Sequence, residues 1–309
     1  VNVSSKQTNL FDDENYYRNA YHVALREFNI EQAIKELKKW QKTFFPPADL
    51  HKKIIALMKL ATVSTDDINV LSELYAGLYN TDYLTLFKDE RRYIKRGLAL
   101  KIYNLLTEQE YNFIIPALHP AEIYIEMEDF KRVFSVCRQY LSHVGEKPLI
   151  RQFEAYAYYQ EGNSNSTAIS TTYAIFDNVL QCNPNYLCPG SFVKKFDYLS
   201  QMTGSSRSAL LRLPFALWKD GKTFIVPNDD HFEKYLRRCI NKERKIATRT
   251  VEEDTLYFYH LQYLAEMLRL RNTRKVVSRE LMDIRTEMNE INNDMFSAYM
   301  NVLSSSFLV

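Results

Sequence analysis

Glycine and proline are scarce in this chain, seven and nine among 309 residues. Tight turns, phosphate-cradling loops and strand connections draw on both, so doubly wound nucleotide folds, β-barrels and β-sandwiches are disfavoured. None of the phosphate-loop, dinucleotide or nucleophile-elbow motifs, G-x-x-x-x-G-K, G-x-G-x-x-G or G-x-S-x-G, occurs. A surplus of one charge is lacking too. Forty Lys and Arg against 38 Asp and Glu leave +2, and that total demands neither nucleic acid nor an anionic membrane. Cys137, Cys182, Cys188 and Cys239 are the only cysteines, spaced too widely for a disulfide framework; reduced thiols, and with them an intracellular location, are expected. Apolar runs fall short of the roughly 20 residues of a membrane-spanning helix, so no membrane partner is expected. No signal peptide is legible after Val1, and the sequons at Asn2 and Asn165 are of the kind that chance produces in an Asn- and Ser-rich chain.

Recognisable chemistry is missing as well. The histidines, His22, His51, His119, His143, His231 and His260, show no paired metal-ligand spacing and no H-E-x-x-H. Cys182 and Cys188 are six apart, wider than a zinc knuckle. Glu122 and Glu126, one helical turn apart, are better read as a solvated acidic face than as an acid–base pair. No catalytic residue, metal or cofactor is assigned, and a non-enzymatic protein is expected.

Aromatic residues are abundant, 22 Tyr and 18 Phe, within a chain 46% hydrophobic and 25% charged, which supports a sizeable globular core. Residues 1–45 hold neither Gly nor Pro, 48–115 only Gly77 and Gly97, and 222–309 no Gly and one Pro, Pro227. Such breaker-free tracts, with apolar residues three and four apart, predict helices. Tyr21, Ala24, Leu25, Phe28, Ala33, Ile34 and Leu37 form one such stripe before Phe45-Pro46-Pro47.

Three segments look alike, each a helix, a short turn and a second helix. In the clearest, Ala121, Tyr124, Phe130, Val133, Cys137 and Tyr140 fall on the small, aromatic and apolar offsets of the tetratricopeptide repeat (TPR). Val133 stands for the usual alanine and Glu128 for the turn glycine. Ala155, Tyr158 and Gly162 begin a second copy, continued by Phe176, Val179, Leu180 and Asn183-Pro184, with 163–167 read as an insert that lengthens the turn. Tyr21, Ala24, Ile30, Ala33, Leu37 and Trp40 make a weaker third, and 74–93, turning at Asp82-Tyr83, a poor fourth. The chain thus resembles a TPR-like helical-hairpin array over 1–190. The resemblance implies an all-α superhelix whose groove holds a peptide or helix of another protein. Arg18, His22, Leu118 and Glu122 stand where the family's carboxylate clamp carries Lys and Asn, so that clamp is not expected.

Residues 191–230 read as an irregular connector, with Lys219-Asp220-Gly221-Lys222 between two apolar runs as either a short β-hairpin or a loop tucking in Trp218 and Phe224. C-terminal helices over 231–309 follow. The first, 231–250, places Lys234, Arg238, Lys242, Lys245 and Arg249 on one face. Arg269, Arg271, Arg274 and Lys275 add to it, and 231–280 holds 12 Lys and Arg against 7 Asp and Glu. Such a face suits an acidic protein partner or, with tyrosines to stack on bases, RNA. A Tyr-rich helix from about Val251 to Leu270 is apolar over much of its circumference and is expected to be central. Last comes a heptad seam, Val277, Leu281, Ile284, Met288, Ile291, Met295, Ala298 and Val302. It either packs on the Tyr-rich helix and caps the array or pairs two chains as a homodimeric coiled coil. The expectation overall is a protein-binding scaffold or adaptor subunit of a larger intracellular assembly, with an RNA-binding helical-repeat protein as the alternative.

Overall fold

The computed structural model describes residues 8–43, 50–63, 66–78, 87, 90–107, 110–187, 191–272 and 277–306. The fold is all-α. Among the described residues there is no strand, and the single isolated β-bridge joins Ile115 to Leu118. Contacts divide the chain into two compact units, Val1–Val136 and Cys137–Val309, rather than at the 190/191 boundary read from composition.

In the first unit, α1 (Thr8–Arg26) and α2 (Ile30–Thr43) form a hairpin, followed by α3 (Leu50–Val63), α4 (Ile68–Ala76), α5 (Arg91–Leu105) and α6 (Pro120–Glu126); α7 (Phe130–His143) crosses into the second. Tyr21, Leu25, Leu37, Leu57, Leu71, Ile94, Leu98 and Ile102 are fully or almost fully buried. Gly97 is required on α5. A Cβ there would lie 2.3 Å from the Leu25 carbonyl oxygen and 3.0 Å from the Phe28 amide nitrogen. The Asp82-Tyr83 turn lies outside the described residues.

One turn recurs. After α1, α6 and α8 (Pro148–Gln160), the chain passes through a left-handed residue, Phe28 (φ 53°), Glu128 (φ 62°) or Gly162 (φ 76°). Asn29, Asp129 or Asn163 follows. Its amide donates back to a carbonyl five residues earlier, Ala24, Tyr124 or Tyr158, at 2.8–2.9 Å, which is the Schellman closure of the first helix. Its side chain then accepts the amide of Gln32, Arg132 or Ser166 at 3.1–3.2 Å, capping the second helix. Glu128 and Gly162 are thirty-four positions apart.

These turns correct the expected register of the second copy. Residues 164–167 are no insert, since α9 (Ser164–Asn178) begins directly after the Asn163 cap. Counted from the left-handed residue, the places of Val133, Cys137 and Tyr140 are taken by Thr167, Thr171 and Ala174, not by Phe176, Val179 and Leu180. Both threonines are buried, and each hydroxyl donates to the carbonyl four residues back, 2.8 Å to Asn163 and 2.7 Å to Thr167.

The stretch 191–230 is not an irregular connector. It holds α10 (Ser191–Thr203) and α11 (Ser206–Lys219). Asp220-Gly221 terminates α11 instead of folding a β-hairpin. Gly221 is left-handed (φ 64°) and the Lys222 amide donates to the Leu217 carbonyl at 2.9 Å, so the Asp-Gly pair serves a helix C-terminus. Trp218 is buried, whereas Phe224 is half exposed.

Then come α12 (Asp230–Glu243), α13 (Val251–Arg271), α14 (Arg279–Ile291) and α15 (Asn293–Ser306). α13 is central: from Tyr257 to Met267 every residue is buried, as a helix without a solvated face must be. Tyr173 of α9 stacks on Phe232 of α12 at 4.1 Å, and Tyr263 of α13 meets Phe176 and Phe232 edge-on at 5.2 and 5.1 Å. The seam packs within the chain. Leu281, Ile284 and Met288 are buried in this core and Ile291 and Met295 lie against it, each fully buried side chain contributing about 1.5–3 kcal/mol. It is not one helix. Asn292 is extended (φ −153°) and its side chain accepts the Met295 amide at 3.0 Å, ending α14 and capping α15. Tyr299 then stacks on Trp218 at 5.1 Å and donates to Glu266 at 2.8 Å. These seam side chains are therefore committed in cis, and a homodimer would have to form on other residues.

Candidate functional site

α12 sorts its cations by face. Arg237 pairs with Glu233 and Glu280, and Arg244 with Glu287 at 2.7 Å. These side chains stitch α12 to its own turns and to α14. On the outward side Lys234, Arg238 and Lys242 are exposed and make no ion pair among the described residues. They recur every four residues, one above another along about 12 Å of helix.

The expected basic face is shorter than the sequence suggested, because the helix stops at Glu243 and not at Thr250. Thr250 opens α13 with a capping box, its hydroxyl accepting the Glu253 amide while the Glu253 carboxylate accepts from Thr250. Lys245 thus stands beyond the end of α12, exposed. Arg249 is turned inward, held by Asp254 at 2.7 Å and the Glu243 carbonyl at 2.9 Å, with its guanidinium 4.8 Å above the Tyr257 ring. Arg271 bonds Glu233 at 2.5 Å and the Pro227 carbonyl, and Arg269 bonds Glu266 at 2.7 Å. Arg274 and Lys275 lie outside the described residues. Of the nearby tyrosines, Tyr257, Tyr259 and Tyr263 are at most 1% exposed, and Tyr235 on α12 is half-buried.

Behind this face, α9, α12 and α13 enclose a cleft of about 390 Å³ that sequence reasoning missed. His260 links all three helices. Its Nε2 lies 2.6 Å from the Asp177 carbonyl oxygen, and its Nδ1 3.0 and 3.1 Å from the Glu243 carboxylate oxygens. A carbonyl and a carboxylate at the two ring nitrogens favour protons on both, and so the imidazolium form. Burial works against that charge, but Glu243 and the Asp177 carbonyl outweigh it and hold the His260 pKa above its ordinary value. The carbonyl belongs to the last turn of α9, where intrahelical donors run out and a cation is favoured.

Asp177 itself is 4% exposed. Burial, opposed by His260 and Arg151 and reinforced by Glu146, raises its pKa to about 7. Its Oδ1 accepts from the Tyr235 hydroxyl, while its Oδ2 and the neighbouring Asn178 Oδ1 are buried without a protein partner. Cys239 also lines the cleft, and burial pushes its thiol up to about 12. With the thiol protonated and His260 doubly committed, the two do not form a nucleophile–base pair. Nothing in the spacing of 177, 235, 239, 243 and 260 could have announced the cluster, since three helices contribute to it.

Among the described residues no group of His, Cys, Asp and Glu is arranged to hold a metal ion. Cys137 and Cys182 are free, buried thiols, and Cys188 lies outside the described residues. Lys95 reaches Glu126 at 3.6 Å and Glu122 at 4.0 Å, which makes those carboxylates an ion-pair site. No helix is long and apolar enough to cross a membrane among the described residues. No protein-family model, curated protein or solved structure matches the chain.

Proposed function

We propose that this chain is a non-enzymatic, TPR-like helical-hairpin subunit of an intracellular assembly, and that it binds an acidic segment of another protein on the outward face of α12. The observation that carries this is the division of cations on α12. Arg237 and Arg244 are spent on internal carboxylates, whereas Lys234, Arg238 and Lys242, with Lys245 beyond the helix end, keep theirs for solvent. A row of unpaired charges on a rigid helix steers and registers an oppositely charged chain. The TPR-like reading is supported by the shared turn and by the thirty-four positions between Glu128 and Gly162, the period of that repeat. The intracellular reading is supported by the free thiols of Cys137, Cys182 and Cys239. An acidic protein is favoured over RNA because Tyr257, Tyr259 and Tyr263 are buried, the half-buried Tyr235 is held by Asp177, and Arg249, Arg269 and Arg271 are occupied, which leaves the face poor in stacking platforms.

The test is binding of the full chain to a polyglutamate peptide and to a single-stranded oligouridine across a salt series. A salt-sensitive peptide complex, abolished in K234E/R238E/K242E with its helical circular dichroism intact, is the expected result. Tighter binding of the oligouridine would replace the proposal with the RNA reading, and binding of neither would end it.

A further inference from the structure

We propose that the cleft between α9, α12 and α13 is a binding site for a small organic nitrogen cation, a primary ammonium or guanidinium compound, held by Asp177 Oδ2 and Asn178 Oδ1. Both oxygens are buried, both residues line the cleft, and neither oxygen has a protein partner. Buried acceptors are normally satisfied, and leaving them otherwise is costly. What they lack is a donor. The Tyr235 hydroxyl is bonded to Asp177 Oδ1 and both His260 nitrogens are engaged, so neither supplies one, and Lys242 on the same lining makes no bond to either oxygen.

The electrostatics select a cation. Both oxygens sit on the final turn of α9, at the negative end of the helix dipole. Of the other carboxylates at the cleft, Glu146 pairs with Arg151 at 2.6 Å, Glu243 pairs with His260, and Glu253 is exposed at the Thr250 cap, so Asp177 is the buried carboxylate there without an ion pair. The mouth selects size and source. Lys242 stands on the cleft lining next to the exposed cations of α12, so a basic protein segment would be repelled, whereas a small ligand need carry only one charge to the floor. Leu256, Ile246 and Pro148 offer apolar wall for an alkyl stem. The acidic partner proposed for α12 would rest on the outer face, and Lys242 is the residue that the two sites share.

Titration calorimetry of the full chain with agmatine, n-butylamine, n-butanol, inorganic phosphate and a tetra-arginine peptide tests the proposal. Agmatine and butylamine should bind with one-to-one stoichiometry, and butanol and phosphate should not. Asp177→Asn, which keeps an acceptor for Tyr235, should weaken the amines roughly ten- to hundredfold, the effect of losing a charge-assisted hydrogen bond. Lys242→Gln should strengthen them about two- to fivefold by removing a like charge. Tighter binding of tetra-arginine than of agmatine would assign the site to a protein side chain and overturn the small-molecule assignment. Equal binding of butanol and butylamine, amine affinity unchanged in Asp177→Asn, or no amine binding by the folded chain would overturn the site itself.

Discussion

The hairpins α6/α7 and α8/α9 share a turn and differ in almost everything mounted on it. Each has a left-handed residue, a Schellman closure and an Asx cap. The second helix of one carries Val133 and Cys137, that of the other Thr167 and Thr171, all four buried. α7 ends in exposed His143, while α9 ends in buried Asp177, bound to Tyr235 of α12 and, through its carbonyl, to His260 of α13. The backbone device that makes a hairpin is thus separable from the chemistry it presents, and the turn, not the apolar pattern, marks the repeat.

The turn after α1 is the third instance and offers the strongest perturbation, because Gly97 packs against it. Gly97→Ala drives a methyl into the Leu25 carbonyl. Backbone on both sides has nowhere to retreat, and a loss of about 3 kcal/mol is expected from overpacking, measured by chemical denaturation. A loss below about 1 kcal/mol would mean that this turn adjusts and is not the fixed device argued for all three.

Asp177 distinguishes the end of α9 from that of α7, and pH exposes it. Its folded pKa, about 7, lies above the unfolded value of 3.8, so the native state binds the proton more tightly. Its contribution is present in full below about pH 4 and is lost as pH rises towards 7. His260, also raised, acts in the same direction from its unfolded value near 6.5 upwards. Asp177→Asn should therefore flatten the fall in stability between pH 5 and 8, and at pH 8 it should exceed wild type by up to about 4 kcal/mol. Denaturation midpoints at the two pH values decide the matter. A variant with wild-type pH dependence would show that Asp177 remains ionised in the fold.

Legibility followed the same division. The all-α class, the central Tyr-rich helix and the hairpins at 121 and 21 were readable because apolar residues there follow the helical period. Thr167 and Thr171 defeated that reading: each hydroxyl satisfies itself on its own helix, so a polar residue sits in a core place without polar partners elsewhere. Asn292 fits a heptad as well as it caps a helix, so the break between α14 and α15 was hidden. The Thr250-Val-Glu-Glu253 capping box was in plain view and would have shortened the basic face. Asp177, Tyr235, Glu243 and His260 come together only in three dimensions, and no spacing rule reaches them.

The turns themselves predict opposite signs for opposite changes. Glu128 is a non-glycine at φ 62°, and Gly162 takes the same place at φ 76°, where a Cβ would meet no heavy atom within 4 Å. Left-handed backbone costs an L-residue roughly 1–2 kcal/mol, offset partly by the greater freedom of unfolded glycine. Glu128→Gly should stabilise and Gly162→Ala destabilise, each by about 1 kcal/mol, as thermal melts would register. Glu128 loses little in the exchange, since its contact to Arg96 is 4.0 Å long and the carboxylate is exposed. Shifts of the same sign in both variants would mean that the two turns are not equivalent.

The smallest effects test the claim that the side-chain places are interchangeable. Thr171→Val removes a hydroxyl whose bond is to the Thr167 carbonyl, a group that retains its helical hydrogen bond. No acceptor is orphaned, the volume is kept, and the change in stability should stay within about 1 kcal/mol. Cys137→Thr is the reciprocal exchange. The new hydroxyl can reach the Val133 carbonyl one turn back, as Thr171 reaches Thr167, so its cost should also stay near 1 kcal/mol despite complete burial. Were Thr171 serving anything beyond its own helix, Thr171→Val would cost well over 2 kcal/mol while Cys137→Thr stayed mild, and the equivalence of the two places would fail at the position where the hairpins differ most.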